Sequence, residues 1–220
     1  MKIGLLTFHA AYNFGANLQA FSTVKNLQGL GHEVRILNYI KKESRDNYRK
    51  NVPEEQWSAH ETFFSTYFPL TQEVNNKDQL ADLTFEENLD GILVGSDAVW
   101  SYPPGTVEIP PYFMDWLFND PRISQIPVAT LSVANMSGGF KHLSRSKKEE
   151  ARKSIAKHYY LTVRDEWTRK TVLSHLFPGD PINISISPDP VFCIEPYLQQ
   201  EWDNHGLVQS GEKFILTTLG

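Results

Sequence analysis

An α/β fold with a mainly parallel, doubly wound sheet is what this sequence predicts, and three observations predict it. Apolar runs of strand length recur along the chain, among them KIGLLTF (2–8), the Ile92–Val94 core of DGILVGSDAVW (90–100) and IPVATLSVAN (126–135). Segments of helical spacing or charged helix-forming composition separate them, such as GANLQAFSTVKNLQGL (15–30) and RSKKEEARKSIAK (145–157). Glycines stand where such connections should close, at Gly31 and Gly179. Strands alternating with helices in this way bury both faces of a sheet, and the crossover between parallel strands is right-handed.

Each element can be justified in order. Residues 2–8 form a short apolar strand, and Leu18, Phe21, Val24 and either Leu27 or Gln28 then recur at helical spacing. HEVRILNY (32–39) returns as a second strand, which completes a β-α-β unit. From Lys41 to about Gln79 the composition shifts: KKESRDNYRKN is polar and reads as a mobile loop. EEQWSAHETFFSTYF follows as a helix with Trp57, His60, Phe64 and Tyr67 or Phe68 on one face, which is either core packing, the reading favoured here, or a recognition lid. The strand at Ile92–Val94 runs into Gly95-Ser96-Asp97, and IPVATLSVAN forms the next strand. RSKKEEARKSIAK makes a charged surface helix, YYLTVRD (159–165) a strand, EWTRKTVLSHL (166–176) a helix, and INISISPDPVF (182–192) a further strand. EKFILTTLG (212–220) resembles the opening MKIGLLTFH; it is either a final edge strand of the same sheet or, the reading preferred, residues 1–205 form one domain and 206–220 a linker and the first strand of a second, truncated one.

Composition narrows the function classes. The 220 residues are 40% hydrophobic and 12% aromatic, enough for a sizeable core, and the formal net charge is −5. Acids and bases are mixed along the chain, so nucleic acid is not the expected partner. One cysteine, Cys193, allows no internal disulfide, and no histidine pair has metal-ligand spacing. The N-terminus lacks a signal peptide's long apolar region, and no run approaches the ~20 apolar residues of a membrane span. A cytoplasmic location is the expectation. No Gly-x-Ser-x-Gly elbow is present, which disfavours a serine hydrolase.

Ligands of an open parallel sheet bind outside the carboxyl ends of its strands, so four turns carry the candidate chemistry. In the first, TFHAAYNFGANLQA (7–20), Gly15 would allow close backbone approach, Asn13 and Asn17 can donate or accept, and the helix start favours an anion. The alternative is that Asn13 caps the helix and Gly15 relieves a tight turn. His9 lies in the same turn, where a lone histidine most commonly makes an ordinary polar contact. In the second, Ser96 or Asp97 either caps a following helix or, in the case of Asp97, accepts from sugar hydroxyls or orients a base. In the third, Arg164 can hold a carboxylate or phosphate bidentately, or form a salt bridge with Asp165 or Asp189, while Asp165 is placed to cap the helix at Glu166. In the fourth, Ser187-Pro188-Asp189-Pro190, the prolines stiffen the turn and Asp189 can orient Arg164 or a substrate hydroxyl.

These stretches, in this order, resemble the polysaccharide pyruvyl transferase family. KIGLLTFHAAYNFGANLQA answers that family's K-I-G-I-I-T-F-H…N-Y-G-A-x-L-Q-A, and GHEVRILNY, DGILVGSDAVW, LTVRDEWT and SPDPVF resemble its successive landmarks, with Ala98 where glutamine often follows G-S-D. The resemblance runs from Met1 to Gly220 and covers what corresponds to the family's N-terminal half. It implies a Rossmann-like half of a glycosyltransferase-B-type fold and transfer of a pyruvyl group from phosphoenolpyruvate to a sugar hydroxyl of a cell-surface polysaccharide or its precursor. It assigns the donor's negative charge to Arg164, and the family's histidine acid and other basic residues to a C-terminal half. The expected partners are phosphoenolpyruvate and a saccharide acceptor, with no cofactor, no metal and the oligomeric state open, a homo-oligomer included. Two other functions stand beside it: a nucleotide-sugar glycosyltransferase of the same fold, and a non-catalytic sugar-binding or assembly module whose terminal strand edge pairs with another protein.

Overall fold

The computed structural model describes residues 1–102, 105, 108–136 and 139–198. Its centre is an open sheet of β1 (Lys2–Leu6), β2 (Glu33–Ile36), β3 (Gly91–Val94) and β4 (Val128–Thr130) in the order β2-β1-β3-β4, with every pair parallel. A second parallel pair, β5 (Thr162–Val163) and β6 (Ser185–Ile186), continues the array through bridges from Ala129 to Tyr160 and from Val133 to Val163. The expected α/β class with a mainly parallel sheet is therefore present. The strands are shorter than the apolar runs that announced them; of 126–135, only three residues are strand, and the remainder follows the sheet edge.

Residue alternation across the pleat divides the core in two. Leu5 faces one layer with Ala20, Phe21 and Val24 of α1 (Phe14–Gly29) and Phe64 of α3 (Glu54–Tyr67). Leu6, Ile92 and Val94 face the other, with Leu80 of α4 (Lys77–Glu87), Leu117 of α5 (Asp115–Phe118), Ile155 of α6 (Arg145–Ile155) and Val172 of α7 (Glu166–Leu176). Leu5, Leu6 and Leu80 are wholly buried, and each such side chain contributes about 1.5–3 kcal/mol. Asn13 caps α1 by accepting from the Ala16 N–H at 3.2 Å, and Gly31, at φ +84°, takes the chain out of it. Asp165 caps α7 by accepting from the Thr168 N–H at 2.7 Å.

Two expectations are overturned. Residues 42–51 are helix α2 (Lys42–Asn51), not a loop. None of its residues is buried, so no apolar stripe marks it in the sequence; what holds it lies elsewhere in the chain. Tyr48 stacks on Tyr12 with ring centroids 4.0 Å apart, Arg45 pairs with Glu73 at 2.7 Å, and Arg49 pairs with Glu61 at 2.6 Å. Nor does Asp97 cap a helix. It sits at φ +77° and accepts from its neighbour Ala98 N–H at 2.7 Å, and no helix follows it directly among the described residues. The strand and linker expected over 206–220 lie outside the described residues.

Candidate active site at the carboxyl edge of the sheet

The strand order reverses at β1, which has β2 on one side and β3 on the other. The crossovers on either side of such a point leave by opposite faces, opening a crevice at the carboxyl ends of β1 and β3. Thr7 follows β1 directly and Ser96 follows β3 by two residues. Gln19, from the second turn of α1, lies between them. Its Nε2 donates to Thr7 Oγ1 at 2.8 Å and its Oε1 accepts from the Ser96 N–H at 3.1 Å, while Thr7 Oγ1 donates to the Ser96 carbonyl at 3.2 Å. All three side chains are buried, so the triangle satisfies groups that water does not reach.

The network continues along the edge. Ser96 Oγ donates to the Ser132 carbonyl at 2.9 Å and lies 3.5 Å from Asp189 Oδ2. A hydroxyl has one proton and 3.5 Å is the outer limit of a hydrogen bond, so the proton belongs to Ser132 and Asp189 is only brought close. Ser132 Oγ in turn donates to the Pro188 carbonyl at 2.7 Å, which ties down the turn that carries Asp189. Asp189 Oδ1 accepts from the Val191 N–H at 3.0 Å, and Oδ2 receives Arg164 Nη1 at 3.1 Å. Arg164 leaves the end of β5 with its side chain 38% exposed, whereas Asp189 is 17% exposed. Among the described residues Asp189 is its ion-pair partner. The guanidinium thus has one nitrogen steered by a fixed carboxylate and a face open to solvent at the mouth of the edge.

The remaining sequence candidates assemble differently. Asn17 is buried, donates to the His9 and Ala11 carbonyls at 2.9 and 3.1 Å, and through Oδ1 meets His60 Nδ1 at 2.7 Å. It shapes the β1–α1 turn. His9 is buried too, with Nδ1 3.2 Å from the Thr7 carbonyl and Nε2 2.9 Å from Asn38 Oδ1, and burial lowers its pKa from the ordinary histidine value. Asn13 caps α1, and a Cβ on Gly15 would stand 3.1 Å from the Asn13 side-chain oxygen, so the two residues fit each other closely. The structure brings Ser96, Asp189 and Arg164 together, and groups His9 and Asn17 with His60 and Asn38. Asp97 stands between, half-buried, with its carbonyl accepting from the Ala134 N–H at 2.8 Å.

The model of the polysaccharide pyruvyl transferase family matches residues 13–216. The chain belongs to that family. No curated protein gives a significant match. The family's activity is transfer of pyruvyl groups onto polysaccharide, so the chain is a member of a transferase family, and a saccharide acceptor is implied. No helix among the described residues is long and apolar enough to cross a membrane. Among the same residues no group of three or more His, Cys, Asp or Glu side chains is placed to hold a metal ion.

Sequence reasoning missed Gln19, Thr7 and Ser132, which support the edge of the sheet in this member of the family. Gln19 had a signal: it is a polar residue on the inward face of a helix, between Leu18 and Ala20. Gly95 was recognised only as part of a turn. It sits at φ +103°, and a Cβ there would meet the Leu131 carbonyl oxygen at 2.5 Å, so the close approach of the two turns excludes any side chain.

Proposed function

We propose that this chain transfers a pyruvyl group from phosphoenolpyruvate to a saccharide hydroxyl, with Arg164 holding the anionic end of the donor. The observation that carries the reading is the Ser96–Asp189–Arg164 cluster on the carboxyl edge of a parallel sheet, beyond the strands where such sheets take their ligands. The strand order and the helices on both faces support describing these residues as a Rossmann-like half of a glycosyltransferase-B-type fold. The single cysteine and a phosphorylated donor support a cytoplasmic location.

The chemistry asks for little beyond positioning. Protonation of the enol methylene makes the central carbon cationic, and an acceptor hydroxyl adds to it as its proton is lost. Phosphate then leaves with the C–O bond pair, and a second hydroxyl closes the cyclic ketal. A cation at the phosphate or carboxylate stabilises the donor and the departing anion alike. Arg164 suits that role because Asp189 fixes one nitrogen and leaves the fork's remaining N–H groups for a planar or tetrahedral anion.

Calorimetric titration of phosphoenolpyruvate into the wild-type chain and Arg164→Ala tests this. Saturable binding that weakens about tenfold or more in the variant is expected, the loss of a charged hydrogen bond of ~1.5–3 kcal/mol. Unchanged affinity removes Arg164 from the donor site. Binding of a nucleoside diphosphate sugar without phosphoenolpyruvate replaces the reading with a glycosyltransferase.

A further inference from the structure

On the β2 side of the same edge lies a cavity of about 480 Å³ that the donor site does not use. This is within the ~300–1,000 Å³ typical of small-molecule sites. Its floor is Asn38 and Ile40, which follow β2, and its walls are Tyr12 from the β1–α1 turn, α2 and α3. The charged residues lining it are Arg45, Arg49, Glu61 and Glu73, two of each sign. Arg49 makes a bidentate pair with Glu61, its Nε donating to Oε1 at 2.8 Å and its Nη2 to Oε2 at 2.6 Å, and Tyr12 Oη donates to the same Oε1 at 2.6 Å. Arg45 Nη1 donates to Glu73 at 2.7 Å, whereas Arg45 Nε is buried without a hydrogen-bond partner among the described residues. The Arg49 guanidinium also lies 4.8 Å from the centre of the Trp57 ring.

From this arrangement we infer that the cavity binds an uncharged sugar ring, the acceptor unit of the transferase. Both arginines already face carboxylates, so an anion entering the cavity would have to displace a glutamate. A sugar hydroxyl need not. It accepts from a guanidinium N–H and donates to the neighbouring carboxylate at once, completing an ion pair instead of breaking it. The orphaned Arg45 Nε is one donor waiting for such an oxygen. Trp57 and Tyr12 line the cavity with aromatic surface; Arg49 covers one face of Trp57 and Tyr48 one face of Tyr12, so the C–H face of a sugar packs on the ring surface that remains. Asn38 Oδ1 lies 2.9 Å from His9 Nε2, His9 Nδ1 3.2 Å from the Thr7 carbonyl, and Thr7 Oγ1 donates to the Ser96 carbonyl, so the cavity and the donor cluster lie along one polar edge. The acceptor role rests on the pyruvyl transfer proposed above, whereas sugar binding itself does not.

The test is saturation-transfer NMR on the full chain with the methyl glycosides of glucose, galactose, mannose and N-acetylglucosamine. Glucuronic acid and inorganic phosphate serve as anionic probes. Saturation transfer to at least one uncharged glycoside is expected, with affinity falling about tenfold, ~1.4 kcal/mol, in Trp57→Ala and in Glu73→Gln. Ser65→Trp, which fills the cavity from an exposed position on α3, should abolish it without touching the core. No response from any of the four glycosides, response only from the anionic probes, or binding that survives all three variants overturns the inference. A parallel phosphoenolpyruvate titration separates the two proposals. Sugar bound without phosphoenolpyruvate removes the donor reading and leaves the cavity, and the reverse removes the cavity alone.

Discussion

Gln19 makes two of the three bonds that lock the first turn to the third strand, although it touches no candidate ligand group. Replacing it by alanine leaves the buried Ser96 N–H without an acceptor and removes the donor to Thr7 Oγ1. At ~1–3 kcal/mol for each orphaned buried group, Gln19→Ala should cost roughly 2–4 kcal/mol in urea unfolding. Gln19→Glu keeps the acceptor for Ser96 but buries a charge, and should be no better. A cost within about 0.5 kcal/mol, the range of an ordinary surface substitution, would show that water reaches this triangle. The same residue marks the limit of the sequence at this scale. Strand-end turns reveal Ser96, Arg164 and Asp189 because polar residues stand out after apolar runs. Gln19 is brought to the site by the pitch of a helix, at which only its polarity between apolar neighbours hints, and Ser132 by the pairing of β4 with β3, which local composition does not show.

Between β4 and β5 the ordinary ladder is interrupted. Backbone bonds join Thr130 N–H to Tyr160 and Arg164 N–H to Val133, both at 2.9 Å; between them the Val133 N–H reaches the Thr162 carbonyl only at 3.4 Å, and the threonine hydroxyls supply the shorter bonds. Thr162 N–H donates to Thr130 Oγ1 at 2.7 Å, which donates back to the Thr162 carbonyl at 2.8 Å. Thr162 Oγ1 accepts from the Ser132 N–H and donates to the Thr130 carbonyl, each at 2.8 Å. Thr162→Val preserves shape and β-propensity but orphans two buried backbone groups, so it should destabilise by about 2–5 kcal/mol. Amide exchange should show β5 and β6 opening before β1 and β3; equal protection in all four strands would contradict the role given to the hydroxyls. Element type was largely legible wherever an element buries its own apolar residues, as α1 and β3 do. It failed for α2, whose stabilising partners Tyr12, Glu61 and Glu73 are all outside it. The α3 face divides accordingly: His60 and Phe64 are buried, whereas Trp57 is half-buried and lines the cavity beside Phe64.

Over the whole molecule, buried imidazoles set the acid limit of stability. His158 donates from Nδ1 to the Ser154 carbonyl at 3.1 Å, and its Nε2 is buried without a hydrogen-bond partner among the described residues. Burial pushes its pKa down from 6.5 to about 4. Burial also lowers His9 and His60. The unfolded chain therefore takes up protons that the folded one refuses. Stability is fully present above pH 6.5 and is lost as pH falls toward 4, by ~3 kcal/mol for His158 alone. His158→Phe should flatten part of that slope in unfolding measured between pH 7 and pH 5; an unchanged slope would mean that His158 is hydrated in the folded state. The division of the sheet has a separate meaning at this scale. Backbone hydrogen bonds are the same whatever residues carry them, so strands joined only by them offer selection little to adjust. The β4–β5 line is held at its middle by two hydroxyls, and beyond it lie both Arg164 and Asp189. How firmly that half of the sheet is fixed to the rest is a heritable variable, open to change one codon at a time.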